Sequence, residues 1–151
     1  MKSDALLRMK KYCALAEKST HDVVTKLEEM EVPQDEIAQI LQALYSDKFL
    51  DDARYAKSYA SEKLNLDLWG RKKIANALEQ KNLSEEIIRQ ALNSLDEKDY
   101  MEKLHLVLHK KYRDVKSDNA QDDGKRVMMF ALSRGFEEEL ITEWLESNGL
   151  C

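Results

Sequence analysis

The sequence contains very little of the two residues that most often interrupt helices and strands. Of its 151 residues, four are glycine and one is proline. This scarcity leaves few positions for tight hairpin turns, which commonly need glycine. Leu, Ala, Glu, Lys and Gln, which lose little rotamer freedom in a helix, are plentiful in contrast. The composition therefore predicts an all-α protein.

Cysteines and long apolar runs are also scarce. Cys13 and Cys151 are too few for a disulfide framework, and we expect both to be thiols in a reducing compartment. The longest apolar run, Val127–Leu132, is far shorter than the roughly 18 residues that a membrane span needs. Charged residues interrupt the first residues, MKSDALLRMKKYC, where a signal peptide is continuously apolar. We expect a cytoplasmic protein that does not cross a membrane.

Charge is unevenly distributed along the chain. Hydrophobic residues make up 43% and charged residues 35%, which is typical of a globular protein. The net charge of −5 argues against a protein that coats nucleic acid by bulk attraction. Residues 51–92 nevertheless carry 8 basic and 7 acidic residues, compared with 7 and 9 before them and 9 and 13 after them. Only this middle segment is net positive.

One pattern of nineteen residues occurs three times. Val23–Leu41, Ile74–Leu92 and Val127–Leu145 align without gaps, at offsets of 74 − 23 = 51 and 127 − 74 = 53. The same columns are apolar in all three copies: Val23/Ile74/Val127, Val32/Leu83/Phe136, Ile37/Ile88/Ile141 and Leu41/Leu92/Leu145. Repeats of about fifty residues are typical of helical arrays.

Each copy has helix-start residues at corresponding places. Ser19, Gly70 and Asp123 correspond, and all three are of types favoured at an N-cap. If Gly70 is the cap, Trp69 and Ile74 have the spacing at which two apolar side chains clamp a helix entry. A second start is predicted at three further corresponding residues: Pro33, Ser84 and Glu137. Because proline is favoured at the first helical position, the boundary at Pro33 could shift by one residue.

A further helical pattern precedes each pair of helices. These patterns cover Ala5–Ala16, Asp51–Leu64 and Lys98–Tyr112. Each unit is therefore expected to contain three helices, and the predicted repeats are residues 1–48, 49–96 and 97–151. Arg113–Asp123 lacks an apolar period, so we interpret it as a solvated connection between helices.

The middle repeat carries a candidate binding face. Its basic residues on two helices that we expect to touch are Arg54, Lys57, Lys63, Arg71, Lys72 and Lys73. Such a face could bind phosphate or an acidic protein surface, and the ordinary alternative is a solvated helix face. Cations in a first helical turn are disfavoured by about 0.3–1 kcal/mol each. Three of them, Arg71, Lys72 and Lys73, therefore favour a partner.

The sequence has none of the motifs that indicate catalysis or a cofactor. It contains no glycine-rich phosphate loop, no cysteine pair at metal spacing and no nucleophile motif. His105 and His109 are four residues apart on a predicted helix and could contact one ion. Without a third ligand we interpret them as a solvated pair, which leaves a metal-dependent enzyme as the weakest hypothesis. We predict a protein that is not an enzyme and has no cofactor or metal.

The segment Tyr45–Leu92 contains a specific set of residues: Phe49, Asp52, Arg54, Tyr55, Ala56, Gly70, Arg71, Ile74, Leu78, Lys81, Asn82 and Leu83. This set resembles the RecX family of bacterial regulators of the RecA recombinase. Asn82 stands where that family usually has glycine, and asparagine is the next best residue for a left-handed helix end.

The resemblance implies an elongated, curved array of three-helix repeats. It also implies a regulator that lies in the groove of the RecA filament on single-stranded DNA and suppresses ATP hydrolysis, strand exchange and repressor cleavage. This chain is acidic where many relatives are basic, so we expect protein contacts with the filament to dominate over contacts with DNA phosphates. We also expect a monomer. The alternative is a helical-repeat adaptor for some other protein.

Overall fold

Helices account for all the regular secondary structure in the computed structural model, which describes residues 2–151. Within these residues there are nine α-helices and no strands, which confirms the all-α prediction. Their bounds are α1 (Lys2–Leu15), α2 (Thr20–Glu29), α3 (Gln34–Ser46), α4 (Asp52–Asp67), α5 (Arg71–Glu79), α6 (Glu85–Asn93), α7 (Glu97–Val115), α8 (Ala120–Ser133) and α9 (Glu138–Ser147). Across residues 2–151, every helix is too short or too polar to span a membrane.

The chain divides into two compact units. The first unit comprises the residues up to Ser58 together with Leu78–Ala91, and the second comprises Tyr59–Ala77 together with Leu92–Cys151. The dividing points fall inside α4, α5 and α6. The division into three repeats at residues 1–48, 49–96 and 97–151 stays a prediction.

The first unit has a core built mainly from α1, α2 and α3. Its helices pack α1 on α3 and α2 on α3. The buried side chains of this core are Ala5, Met9, Cys13, Val23, Leu27, Ile37, Ile40, Leu44 and Leu50. Cys13 is a free thiol there, and burial raises its pKa.

A capping box begins α2 in the first unit. Ser19 Oγ accepts a hydrogen bond from Asp22 N at 3.1 Å, and Asp22 Oδ2 accepts one from Ser19 N at 3.0 Å. Lys81 donates to the same carboxylate. Burial alone would raise the pKa of the Asp22 carboxyl, but the hydrogen bonds from Lys81 and Ser19 outweigh it and hold this pKa below its usual range.

The second unit has its own core, in which α7 packs on α8 and α8 packs on α9. The fully buried large side chains contributed by these helices and the turn before α9 include Tyr100, Leu104, Leu108, Phe136 and Ile141. The rings of Tyr100 and Phe136 lie 5.5 Å apart between centroids.

The three copies of the sequence pattern share a left-handed backbone position and a buried isoleucine. Ile37, Ile88 and Ile141 are all buried. Glu31, Asn82 and Gly135 correspond at the same offsets of 51 and 53, and all have left-handed backbone, with φ of 60°, 59° and 93°. This confirms the left-handed helix end expected at Asn82. In each copy this residue lies two positions before the predicted start of the next helix.

The predicted helix starts were right at most positions and wrong at Asp123. Pro33 is the N-cap of α3, so the boundary does not shift, and Glu137 is the N-cap of α9. The N-cap of α8 is Asn119, whose side chain accepts from Asp122 N at 3.1 Å. Asp123 lies inside α8, where its buried carboxylate accepts from the backbone and hydroxyl of Ser117 at 2.9 and 2.6 Å.

The interpretation of Arg113–Asp123 as one solvated connection was also wrong. α7 continues to Val115 and α8 begins at Ala120, which leaves only residues 116–119 between them. The last turn of α7 and the first turn of α8 are largely exposed, so their sequence has no apolar period.

Replacing Leu104 with alanine should destabilise the second unit much more than replacing Leu106. Both leucines lie on α7, but Leu104 is fully buried and Leu106 is 52% exposed. We expect a loss of about 2–5 kcal/mol for Leu104→Ala and a change within about 0.5 kcal/mol for Leu106→Ala. Urea unfolding followed by circular dichroism measures both, and similar losses would contradict the assigned core.

The carboxylate of Asp22 should make stability depend on pH. Its folded pKa lies below that of an unfolded aspartate, about 3.9, so its stabilisation is present at neutral pH and is lost as pH falls through the folded value. We expect Asp22→Asn to be less stable than the parent at neutral pH, with a difference that shrinks below about pH 4. Asp35→Asn, at an exposed position, is the control. A difference that stays constant into acid would refute this role.

Candidate partner-binding site

The six basic residues predicted to bind a partner are divided between the two units. Arg54 and Lys57 belong to the first unit, while Lys63, Arg71, Lys72 and Lys73 belong to the second. In the first unit, Arg54 Nε forms a salt bridge with Glu17 Oε2 at 2.7 Å. Lys57 is exposed and forms no salt bridge with the residues that the structure describes.

The structure brings Lys63 and Lys73 together around Trp69. Their Nζ atoms lie 4.9 and 4.6 Å from the centroid of the half-buried Trp69 ring. Such contacts contribute roughly 0.5–1 kcal/mol each at exposed sites. Lys63 also forms a salt bridge with Asp67 at 3.2 Å. We call Lys63, Trp69 and Lys73 the Trp69 site.

Sequence reasoning missed the aromatic part of this site. The sequence spacing predicts that Trp69 packs against Ile74 at the start of the helix, and this stays a prediction. It did not predict that lysines contact the indole ring. The available signal was one lysine six residues before the tryptophan and another four residues after it.

The start of α5 is fixed by backbone contacts within the second unit. Gly70 N donates to Arg134 O at 2.7 Å, and Lys72 N donates to Gly135 O at 3.0 Å. This approach requires glycine, because a Cβ atom at position 70 would lie 2.4 Å from Gly135 O. Arg71 N donates to the hydroxyl of Tyr100 at 3.0 Å. These amides are therefore already satisfied and are not free for an anion.

Arg71 is held by acidic side chains of its own unit. Its Nη2 lies 2.5 Å from Glu97 Oε2 and its Nη1 lies 2.6 Å from Glu137 Oε2. Its Cζ is 3.7 Å from the centroid of the Tyr100 ring. Burial would lower the pKa of the guanidinium, but the hydrogen bond and charge of Glu137 outweigh it and raise this pKa. The helix-dipole argument for a partner therefore does not apply to Arg71, and its part in binding stays a prediction.

Tyr100 lies fully buried at the centre of these contacts. Its hydroxyl accepts from Arg71 N and donates to Glu137. Burial, followed by the hydrogen bond to Glu137, raises the pKa of Tyr100 far above its usual value. The hydroxyl therefore stays protonated and can donate to Glu137 throughout the neutral range.

Of the four predicted binding residues in the second unit, the three lysines remain accessible to a partner. Lys72 is exposed, Lys73 is half-exposed, and neither forms a salt bridge within residues 2–151. Lys63 is shared between Asp67 and Trp69. The accessible part of the predicted face in this unit is thus the Trp69 site with Lys72 beside it in sequence.

The two histidines considered as metal ligands are exposed on α7. The ring of His109 packs edge-on against Trp144, with 5.1 Å between centroids. Among the residues that the structure describes, no group of three or more His, Cys, Asp or Glu side chains could hold a metal ion.

Comparison with known proteins identifies the segment that carries these basic residues. Residues 51–92 match the family model of the second three-helix domain of RecX, and all six candidate residues lie inside this match. The resemblance to the RecX family is confirmed. A protein named Regulatory protein RecX from Clostridium tetani is 31% identical over 138 residues, covering 89% of this chain and 61% of that relative.

Further RecX proteins are similar over most of the chain. Regulatory protein RecX from Limosilactobacillus reuteri is 27% identical over 136 residues, covering 90% of this chain and 52% of the relative. The chain therefore spans between 52% and 61% of the length of these two relatives.

Solved RecX structures have the same fold. A crystal structure of regulatory protein RecX has a TM-score of 0.86 at 26% identity, covering 97% of this chain and 73% of that chain. The crystal structure of RecX from Lactobacillus salivarius has a TM-score of 0.88 at 22% identity, covering 99% and 97%. The all-α fold described above is thus similar to the fold of these RecX structures.

Replacing Tyr100 with phenylalanine should destabilise the second unit. The substitution keeps the ring but leaves Glu137 and Arg71 N without their shared partner, which we expect to cost about 1–3 kcal/mol. Tyr45→Phe is the matched control, because the Tyr45 hydroxyl pairs with Thr20 Oγ1 at an exposed position. We expect that control to change stability by less than about 0.5 kcal/mol. Equal losses in chemical denaturation would rule out the network as a stabilising feature.

Proposed function

We propose that this chain is a regulator of the RecA recombinase that binds the RecA filament on single-stranded DNA. In this proposal it inhibits the ATPase, strand-exchange and coprotease activities of the filament. The observation that carries the proposal is the similarity to proteins named Regulatory protein RecX over 89–90% of the chain. The matched second three-helix domain also contains every predicted binding residue.

Regulation by binding agrees with the chemistry of the candidate site. The accessible groups are lysine ammoniums and an indole ring, which can contact carboxylates or phosphates but have no arrangement for bond making. In the second unit these groups are Lys63, Trp69, Lys72 and Lys73. Because the net charge is −5, bulk attraction to DNA is weak, and specific contacts with the filament protein supply most of the affinity.

The partner sets the place and process in which the chain acts. RecA filaments form on cytoplasmic single-stranded DNA, so a regulator of them acts in the cytoplasm. Its processes are homologous recombination, DNA repair and the SOS response. The proposed form is a monomer that acts without a cofactor.

Adding the purified chain to RecA, single-stranded DNA and ATP should reduce the rate of ATP hydrolysis in a concentration-dependent way. Filament length, measured by electron microscopy in the same titration, should fall. Unchanged hydrolysis and unchanged length over a wide titration would overturn the proposal. A nucleotide-dependent pull-down in which RecA is absent and another protein is captured would favour the adaptor alternative instead.

The double variant Lys72→Ala/Lys73→Ala tests the contribution of the accessible lysines. It should inhibit hydrolysis less than the parent does, with a shallower dependence on salt if the lysines contact phosphates. The matched control is Lys98→Ala/Lys125→Ala, which makes the same charge change at two exposed positions outside residues 51–92. Equal inhibition by the two double variants would remove Lys72 and Lys73 from the binding surface.

A further inference from the structure

The second unit contains a cavity of about 170 Å³ that none of the six predicted binding residues lines. It lies between the end of α4, the second half of α7 and the end of α8. The lining residues are Asp67, Leu68, Val107, Lys110, Lys111, Asp114, Phe130 and Arg134.

The walls of this cavity present two flat groups and two apolar ones. Phe130 is half-buried, and Arg134 Cζ lies 5.0 Å from its ring centroid. Lys111 Nζ lies 4.7 Å from the same centroid. Leu68 and Val107 complete the apolar surface. A cavity of about 150 Å³ can hold benzene, so the walls can take a single aromatic ring.

The rim of the cavity favours an anion. Lys110, Lys111 and Arg134 form no salt bridge with the residues that the structure describes. Of the two lining carboxylates, Asp67 is already paired with Lys63 at 3.2 Å. Only Asp114 then opposes three cations. Its carboxylate can also accept a hydrogen bond from an amino group on a bound ring.

We propose that this cavity binds one nucleotide of a single-stranded nucleic acid. The base stacks on Phe130 and the Arg134 guanidinium and displaces the Lys111 ammonium from the ring, so that Lys111 contacts the adjoining phosphates together with Lys110. Bases stack on aromatic rings and on guanidinium planes, while lysines bind the backbone phosphates. An apolar side chain would use only the walls and an acidic peptide only the rim, whereas a nucleotide uses both.

The cavity is connected to the Trp69 site through residues of the same unit. Lys63 of the Trp69 site holds Asp67 of the cavity, and Gly70, next to Trp69, donates its amide to Arg134 O at 2.7 Å. A strand leaving the cavity therefore has a second aromatic ring flanked by lysines in the same unit. This inference rests on the proposed function in one respect, because single-stranded DNA is the nucleic acid of that filament.

Direct binding of oligonucleotides to the full chain, without RecA, tests the inference. Fluorescence anisotropy compares a labelled thymidine oligomer with an abasic oligomer of equal length, which keeps the phosphates and lacks the bases. We expect the parent to bind the thymidine oligomer about fivefold to a hundredfold more tightly. Equal binding of the two oligomers would overturn the inference.

The Phe130→Leu variant tests whether Phe130 causes the difference in affinity between the two oligomers. It should abolish the preference for bases and leave the affinity for the abasic oligomer unchanged. Phe49→Leu is the matched control, since Phe49 is half-buried in the first unit under Lys10, whose Nζ lies 5.6 Å from its ring centroid. The control should keep the full preference, and a Phe130→Leu variant that also keeps it would contradict the assignment.

Lys110→Gln covers the case in which Phe130→Leu fails to fold, because Lys110 is exposed. This variant should weaken the binding of both oligomers and reduce the slope of log affinity against log salt concentration by about 1, the value for one lost phosphate contact. Unchanged binding would contradict the assignment of Lys110 to a phosphate. If ATP competes as strongly as the unlabelled oligomer, the ligand of the cavity is a free nucleotide and not a strand. If polyglutamate does so, the ligand is an acidic peptide. Because these binding measurements contain no RecA, they can contradict the inference while the ATPase assay supports the proposed function, and the reverse is also possible.

Discussion

The second unit depends on one buried hydroxyl that is shared by three helices. The hydroxyl of Tyr100 on α7 accepts a hydrogen bond from Arg71 N, the first amide of α5, and donates one to Glu137, the residue before α9. Arg71 closes the arrangement by pairing with Glu137 and Glu97. Partly buried charges are tolerated only when each has a partner. The network therefore specifies one position for α5 against α7 and α9, and with it the position of Trp69.

Local patterns predicted the helices and most of their ends, because apolar periodicity and N-cap chemistry act over a few residues. The buried columns at Ile37, Ile88 and Ile141 followed from this. The prediction failed at Asp123, whose carboxylate binds the preceding Ser117 while Asn119 caps the helix. It could not anticipate the fixing of Arg71 by Glu97 and Glu137, which are 26 and 66 residues away. Contacts between polar side chains at such separations leave no periodic signal.

Basic residues have two different uses in this protein, and counting them in the sequence does not distinguish the two. Arg54 and Arg71 are engaged by carboxylates of their own unit, as the planar guanidinium favours. Lys73 at Trp69 and Lys111 at Phe130 lie over rings instead and keep hydrogens free for a partner. A chain of negative net charge can in this way carry restricted cationic surfaces without general affinity for polyanions.

The left-handed residues Glu31, Asn82 and Gly135 lie in three short links, which join α2 to α3, α5 to α6 and α8 to α9. They limit how far the length of each link can change. Each of these residues lies two positions before the residue that precedes the next helix, including the copy in which a glutamate must adopt a backbone that suits glycine. One residue inserted in such a link would break this spacing and displace the N-cap, so the turn would have to rearrange before the following helix could bury its isoleucine as it does here. Natural variation in chain length is therefore expected elsewhere, in the connections that precede each first helix.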